Sequence, residues 1–163
     1  MNALWRGVAA GLAGVAAMTA GEQLEQLVTR RPDSFVPAHT LARLLRLPHP
    51  ERKRLGLNWA MHWGQGIALG PLRALMAGRG LRGPVGSFVF LNLRLLNDQT
   101  LENATGAGAP PWSWPEDEQV IDLVHKAVYA FVTGAVADAL TPRPHRAPRS
   151  PTPRRGWSTG RSP

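Results

Sequence analysis

The chain has 163 residues, of which 44% are hydrophobic and 18% charged, and its formal net charge is +8. This length predicts one domain, and the absence of cysteine excludes disulfide scaffolds, cysteine-ligated zinc sites and thiol nucleophiles. The positive charge is concentrated at the C-terminus, since residues 141–163 contain six arginines and no acidic residue. A folded basic surface is therefore not indicated, and no specific nucleic-acid binding is expected.

The first half of the chain contains three predicted helices. A long first helix covers 3–29, because helix-compatible residues continue until shortly before Pro32. A short amphipathic helix covers 36–47, with leucines on one side and arginines on the other. The second long helix contains the longest uncharged stretch, the 18 residues 55–72. That length is close to the ~20 residues that cross a bilayer.

The second half contains two more long helices. The third begins at a proline and covers 84–104, whereas the proline-rich segment 109–115 cannot be helical. The acidic residues that follow suit the N-terminus of a fourth long helix over 116–140. Residues 141–163 lack apolar periodicity and are predicted to be a disordered Arg/Pro-rich tail. With no strand pattern, we predict an all-α domain over 1–140, a bundle of four long helices with the short helix between the first two.

Polar side chains form one stripe on each long helix. In water these stripes would face solvent, whereas in a bilayer they must converge inside the bundle, because hydrocarbon cannot satisfy them. The G-x-x-x-G pairs Gly7–Gly11 and Gly66–Gly70 favour the bilayer. Each glycine costs a soluble helix about 1 kcal/mol relative to alanine, but glycines allow membrane helices to approach closely. A cleaved signal peptide is disfavoured, since the helical pattern continues through Glu22.

The basic residues of the loops predict the orientation in the membrane. Seven lie between the first two long helices, and none lies between the last two. The side of the membrane that would carry both termini has ten basic residues. Six are the arginines of the tail, and the other four are Arg6, Arg73, Arg79 and Arg82. Both termini are therefore expected in the cytoplasm of a bacterium, with the chain in its inner membrane. Trp112 and Trp114 then lie at the outer surface as interfacial anchors, the alternative being a stacking platform for a ligand.

Ionisable side chains lie within each long helix. The candidate polar-interior, ion or metal site consists of Glu22, His62, Asp98, Glu102, Asp122 and His125. Metal sites in four-helix bundles use such groups, normally with two Glu-x-x-His pairs. This chain offers one Asp-x-x-His, so the identity of any metal stays open. A proton or ion relay is the second alternative.

We favour a structural role for these groups. Arg94 is expected to pair with Asp98, and Asp122 with Lys126 or His62. We further predict that His62 approaches the Asp122–His125 pair, so that Asp122→Ala would leave His62 without a partner. No nucleophile elbow or phosphate-binding loop occurs, so an enzyme is not favoured and no cofactor is predicted.

Four segments carry a resemblance: RRPDSFVPAHTLARLL (30–45), NWAMHWGQG (58–66), NDQTLENATGAGAPPWSWP (97–115) and DLVHKAVYAFVTGAVADAL (122–140). Together with the excess of Arg over Lys, typical of a GC-rich genome, they look like a group of uncharacterised small bacterial integral membrane proteins of actinobacterial type. These proteins share a His-Trp pair on the second helix, a Pro/Trp loop and a final Asp-x-x-His helix. The resemblance covers about 4–140 and implies no particular activity.

The sequence therefore predicts an integral membrane protein with a polar His/Asp/Glu interior. Its expected partner is the lipid bilayer, and assembly with further copies of the chain is left open. The alternative is a soluble or peripheral four-helix protein with a carboxylate/His metal site.

Overall fold

The computed structural model describes residues 2–143, and over that range the chain contains helices and no strand. The helices are α1 (Ala3–Thr29), α2 (Val36–Leu44), α3 (Leu55–Gly78), α4 (Gly83–Thr105) and α5 (Glu116–Leu140), with a 3-10 turn at Pro111–Ser113. The all-α prediction of four long helices and a short one is thus confirmed. The predicted tail, apart from its first three residues, lies outside the described range.

The ends of the helices follow local signals. The Asn2 side chain accepts a hydrogen bond from the Trp5 backbone at 3.0 Å and so begins α1. α2 ends three residues earlier than predicted, because Arg46 adopts a left-handed conformation with φ of 52°. The Leu47 amide then donates back to the Ala42 carbonyl at 2.8 Å, which closes the helix.

α3 is longer than the uncharged stretch that predicted it. It continues past Pro71 to Gly78, although proline cannot donate to the carbonyl four residues earlier. The turn at Pro71 packs directly against the backbone of α1 at Gly7, and this contact supports the helix there. Arg73, predicted to lie in a loop, is therefore a fully buried helical residue. Arg73 is therefore not one of the loop residues on which the predicted membrane orientation depends.

Small residues bring α1 into direct contact with α3. A Cβ added to Gly11 would lie 2.7 Å from the Gly66 carbonyl oxygen, and Gly7 and Gly70 approach one another even more closely. The two G-x-x-x-G motifs therefore pack against each other within one chain. On its other side α1 meets α5, since a Cβ on Gly14 would lie 2.9 Å from the Tyr129 carbonyl oxygen.

The N-terminal end of α1 lies beside the C-terminal end of α5. Ala10 and Ala137 share one buried cluster there with Ala74 of α3. Adjacent to this cluster, Arg73 forms an ion pair with Asp138, with 3.0 Å between Nη1 and Oδ1. These contacts make α1 and α5 antiparallel and place both ends of the described chain at one end of the bundle.

Arg82 holds the start of α4 against the end of α5. Its Nη2 donates to the carbonyl oxygens of Thr141 at 2.9 Å and Pro142 at 2.7 Å. Its Nε donates to the Ala77 carbonyl at 2.9 Å. One guanidinium thus donates to carbonyl oxygens at the C-terminal end of α3 and just after the C-terminal end of α5.

Within the described range two helices, α1 and α5, are long and apolar enough by length and composition to cross a membrane. α3, whose uncharged stretch came closest to spanning length in the sequence, is not one of them. The reason is that Asn58, His62 and Gln65 lower its hydropathy although none of them is formally charged.

Candidate functional site

A polar cavity of about 470 Å³ opens between the helices at the end of the bundle away from the termini. Its walls come from α1, α3, α4 and α5, at the level where each helix carries its polar stripe. The cavity is lined by all six residues predicted to form the polar interior: Glu22, His62, Asp98, Glu102, Asp122 and His125. The helical spacing that placed these groups on one side of each helix thus brings them together in three dimensions.

Asp98 is at the centre of a buried ionic network. It is 3% exposed and accepts hydrogen bonds from Arg94 Nε at 2.9 Å and from Gln65 Nε2 at 2.6 Å. Lys126 Nζ lies 3.4 Å from Asp98 and donates to Asp122 at 2.7 Å. The structure thus contains two expected pairs, Arg94 with Asp98 and Asp122 with Lys126. The network joins α3, α4 and α5 and holds as many cations as carboxylates.

His62 contacts α1 instead of Asp122. Its Nε2 lies 3.0 Å from Thr19 Oγ1 and 3.7 Å from Glu22 Oε2. Because the Thr19 hydroxyl already donates to the Val15 carbonyl at 2.8 Å, His62 Nε2 is the donor to Thr19. The predicted pairing of His62 with Asp122 is therefore wrong. The physical reason is that α3 packs much more extensively on α1 than on α5.

The remaining two predicted residues are placed differently from one another. His125 is 7% exposed and lies against α1, with its Cδ2 3.9 Å from where a Cβ on Gly21 would be. Glu102 is half-buried, and among residues 2–143 its carboxylate has no hydrogen-bond or ion-pair partner. Its side chain packs against the backbone of Gly108, in the loop that follows α4.

The two tryptophans of the proline-rich loop occupy different environments. Trp112 is 83% exposed, as an interfacial anchor would be. Trp114 is half-buried at the cavity, with its Nε1 donating to the Ala109 carbonyl at 2.9 Å. Trp59 also lines the cavity and stacks on Trp63, with ring centroids 6.2 Å apart. Aromatic surface is therefore part of the cavity wall.

Within the described range, no group of three His, Asp or Glu side chains is arranged to hold a metal ion. The carboxylates of Asp98 and Asp122 are already paired with the cationic side chains of Arg94 and Lys126, and these positive charges disfavour a metal ion beside them.

Two buried polar groups were not predicted from the sequence. One is the ion pair between Arg73 and Asp138, and the other is the Tyr129 hydroxyl, which donates to the Gly66 carbonyl at 2.6 Å. A signal for Arg73 exists, because Gly66, Gly70 and Arg73 are spaced by four and three residues on one helical face.

No protein-family model, curated protein or solved structure matches the chain. The resemblance to small bacterial membrane proteins therefore stays a prediction.

Proposed function

We propose that the chain is an integral membrane protein of the bacterial inner membrane, a bundle of four long helices whose polar interior opens to one side. The observation that supports this most is the distribution of charge. On α1, α3, α4 and α5 the exposed charged side chains are confined to the first turn of α5, at Glu116, Asp117 and Glu118. Long helices in water normally carry charged residues along the whole exposed face.

Large apolar side chains occupy that exposed surface instead. Leu12 is 46% exposed, Phe88 60%, Leu96 65% and Phe131 44%. Large apolar side chains of α1, α4 and α5 therefore lie on the outer surface. The interior holds the opposite kind of residue, namely four charged side chains that are at most 7% exposed: Arg73, Arg94, Asp98 and Lys126. This inversion fits a hydrocarbon environment, in which charges must face the interior of the bundle.

The dimensions of the helices are consistent with crossing a bilayer. Only 33% of the most apolar window of α1 and 39% of that of α5 is buried, whereas the core helix of a soluble protein is mostly buried. α3 and α4 have 24 and 23 residues. At ~1.5 Å per residue they exceed the ~30 Å hydrocarbon thickness. α3 packs antiparallel to α1, and α4 packs antiparallel to α5, so all four helices would cross the bilayer together.

We further propose that both termini are cytoplasmic and that the cavity faces the outside. The six arginines of residues 141–163 favour this orientation. The seven basic residues between α1 and α3 oppose it, and Arg73 no longer supports it because it is buried in α3. The exposed ring of Trp112 would then lie at the outer headgroup level.

Fractionation and reporter fusions test both parts of this proposal. The protein should remain with membranes after an alkaline carbonate wash and should require detergent for extraction. Recovery in the soluble fraction without detergent would contradict membrane insertion and favour the soluble four-helix alternative. Topology reporters before Met1 and after Leu140 should report the cytoplasm, and one at Ala109 the outside. The reverse pattern would overturn the orientation while leaving the insertion proposal intact.

A further inference from the structure

Carboxyl groups outnumber cationic side chains in the wall of the cavity. Six carboxylates and three permanently cationic side chains line it. Two of the cations and two of the carboxylates neutralise each other in the buried network: Arg94, Asp98, Lys126 and Asp122. The third cation, Arg31, is paired with Glu25 at 3.0 Å. Four carboxyl groups of the wall thus have no guanidinium or ammonium partner among the residues described: Glu22, Asp33, Glu102 and Glu118. Asp33 and Glu118 are exposed, whereas Glu22 and Glu102 are half-buried, and Glu22 has only the His62 imidazole nearby.

One buried donor at the cavity lacks an acceptor. Arg94 is 4% exposed and lines the cavity, and its Nε is bound to Asp98. Its guanidinium carbon lies 5.0 Å from the centre of the Tyr129 ring, while its Nη1 is buried with no hydrogen-bond partner in the described chain. A buried guanidinium without its full set of acceptors is unfavourable, and because Arg94 lines the cavity, its positive charge suits this end of the cavity to an anionic oxygen.

The aromatic wall indicates which kind of cation the free carboxylates would hold. Trp59 and Trp114 line the cavity, and indole faces attract organic ammonium groups. A metal ion would instead need several oxygen or nitrogen ligands around one point. Residues 2–143 contain no such group of three His, Asp or Glu side chains.

We propose that the cavity binds a small zwitterion of the size of an amino acid. The carboxylates of Glu22 and Glu102 hold its ammonium group, and Arg94 donates to its carboxylate. The volume of about 470 Å³ falls in the range of small-molecule sites. The inference rests on the proposed function only for the side of the membrane from which the ligand enters.

Binding of probes that separate the two charges tests this inference. The full chain, purified in detergent, is titrated calorimetrically with glycine, β-alanine and γ-aminobutyrate, and with butylamine and butyrate, which each carry one charge. At least one of the zwitterions should bind about tenfold more tightly than either single-charge probe. Butylamine binding as tightly as the best zwitterion would overturn the proposal in favour of a cation site, and absence of binding by all five would overturn it outright. The measurement in detergent does not depend on the fractionation result.

A matched pair of variants locates the ammonium group. Glu102→Gln removes a carboxylate that has no partner within the described chain, so folding should be retained, and thermal unfolding checks this. The variant should weaken zwitterion binding about tenfold. Glu116→Gln, the same change at an exposed position that does not line the cavity, should leave binding unchanged. Equal affinities of the two variants would overturn the assignment.

Discussion

Replacing Asp98 by alanine should destabilise the folded bundle by about 3–5 kcal/mol. The estimate follows from what the substitution removes. Asp98, which is 3% exposed, accepts from Arg94 Nε at 2.9 Å and from Gln65 Nε2 at 2.6 Å. Alanine leaves the Arg94 guanidinium buried at 4% exposure with no carboxylate beside it. Lys126 would keep its 2.7 Å contact with Asp122, so the cost is dominated by the uncompensated arginine.

The assay is equilibrium unfolding of the purified protein in detergent, followed by tryptophan fluorescence. Asp122→Ala is the matched control, because the Asp122 side chain is 31% exposed and its ionic partner Lys126 would keep Asp98 at 3.4 Å. This variant should lose less than about 1 kcal/mol. It should not affect His62, which contacts Thr19 and Glu22 instead.

A double variant distinguishes an unpaired charge from a simple loss of packing. Arg94→Leu combined with Asp98→Leu removes both members of the pair, so no charge remains unpaired between them. We expect the double variant to be more stable than Asp98→Ala alone. A free energy of unfolding for Asp98→Ala within about 1 kcal/mol of the unsubstituted protein would refute the reasoning, because it would mean that Arg94 is compensated without Asp98.

Two further predictions use the same unfolding assay. Gly70→Ala should destabilise the protein by about 1–3 kcal/mol, because its Cβ would collide with the backbone of α1, whereas Gly64→Ala on the same helix meets open space and should be neutral or stabilising. Equal effects would contradict the assigned packing of α1 on α3. Truncation after Arg143 should leave stability unchanged, whereas truncation after Leu140 removes two carbonyl acceptors of Arg82 and should cost about 1–3 kcal/mol. Equal stabilities of the two truncations would contradict the role assigned to Arg82.

The helix bounds could largely be predicted from the sequence because they depend on local signals. The first and fourth long helices have the predicted bounds, and the third differs by one residue at each end. The exception is α3, which passes through Pro71 and continues beyond the uncharged stretch 55–72 to Gly78. Its continuation depends on packing against Gly7, a residue more than sixty positions away in sequence. No local pattern contains that contact.

The residues of the candidate site could be predicted, but most of their partners could not. Helical spacing is enough to place Glu22, His62 and Asp122 on the polar side of their helices. Whether His62 contacts Glu22 or Asp122 depends on which helices are neighbours and on the rotation of each helix about its own axis. Neither can be derived from a single sequence. The pairs that were predicted, Arg94 with Asp98 and Asp122 with Lys126, are both four residues apart on one helix. Pairs of this kind are determined by helix geometry alone.

The cavity and the tight packing at the opposite end have a common origin in the gradient of side-chain size along α1. At Gly7, Gly11 and Gly14 an added Cβ would come within 3.0 Å of a neighbouring helix, whereas at Gly21 the nearest atom is 3.9 Å away. Where the small residues end, Thr19 and Glu22 face His62 across a wider gap. Helices held in backbone contact at one end and separated by larger side chains at the other enclose a wedge of space. Because polar groups line that wedge, water or a polar solute can fill it. The tight packing at the opposite end of the bundle therefore leaves the cavity open.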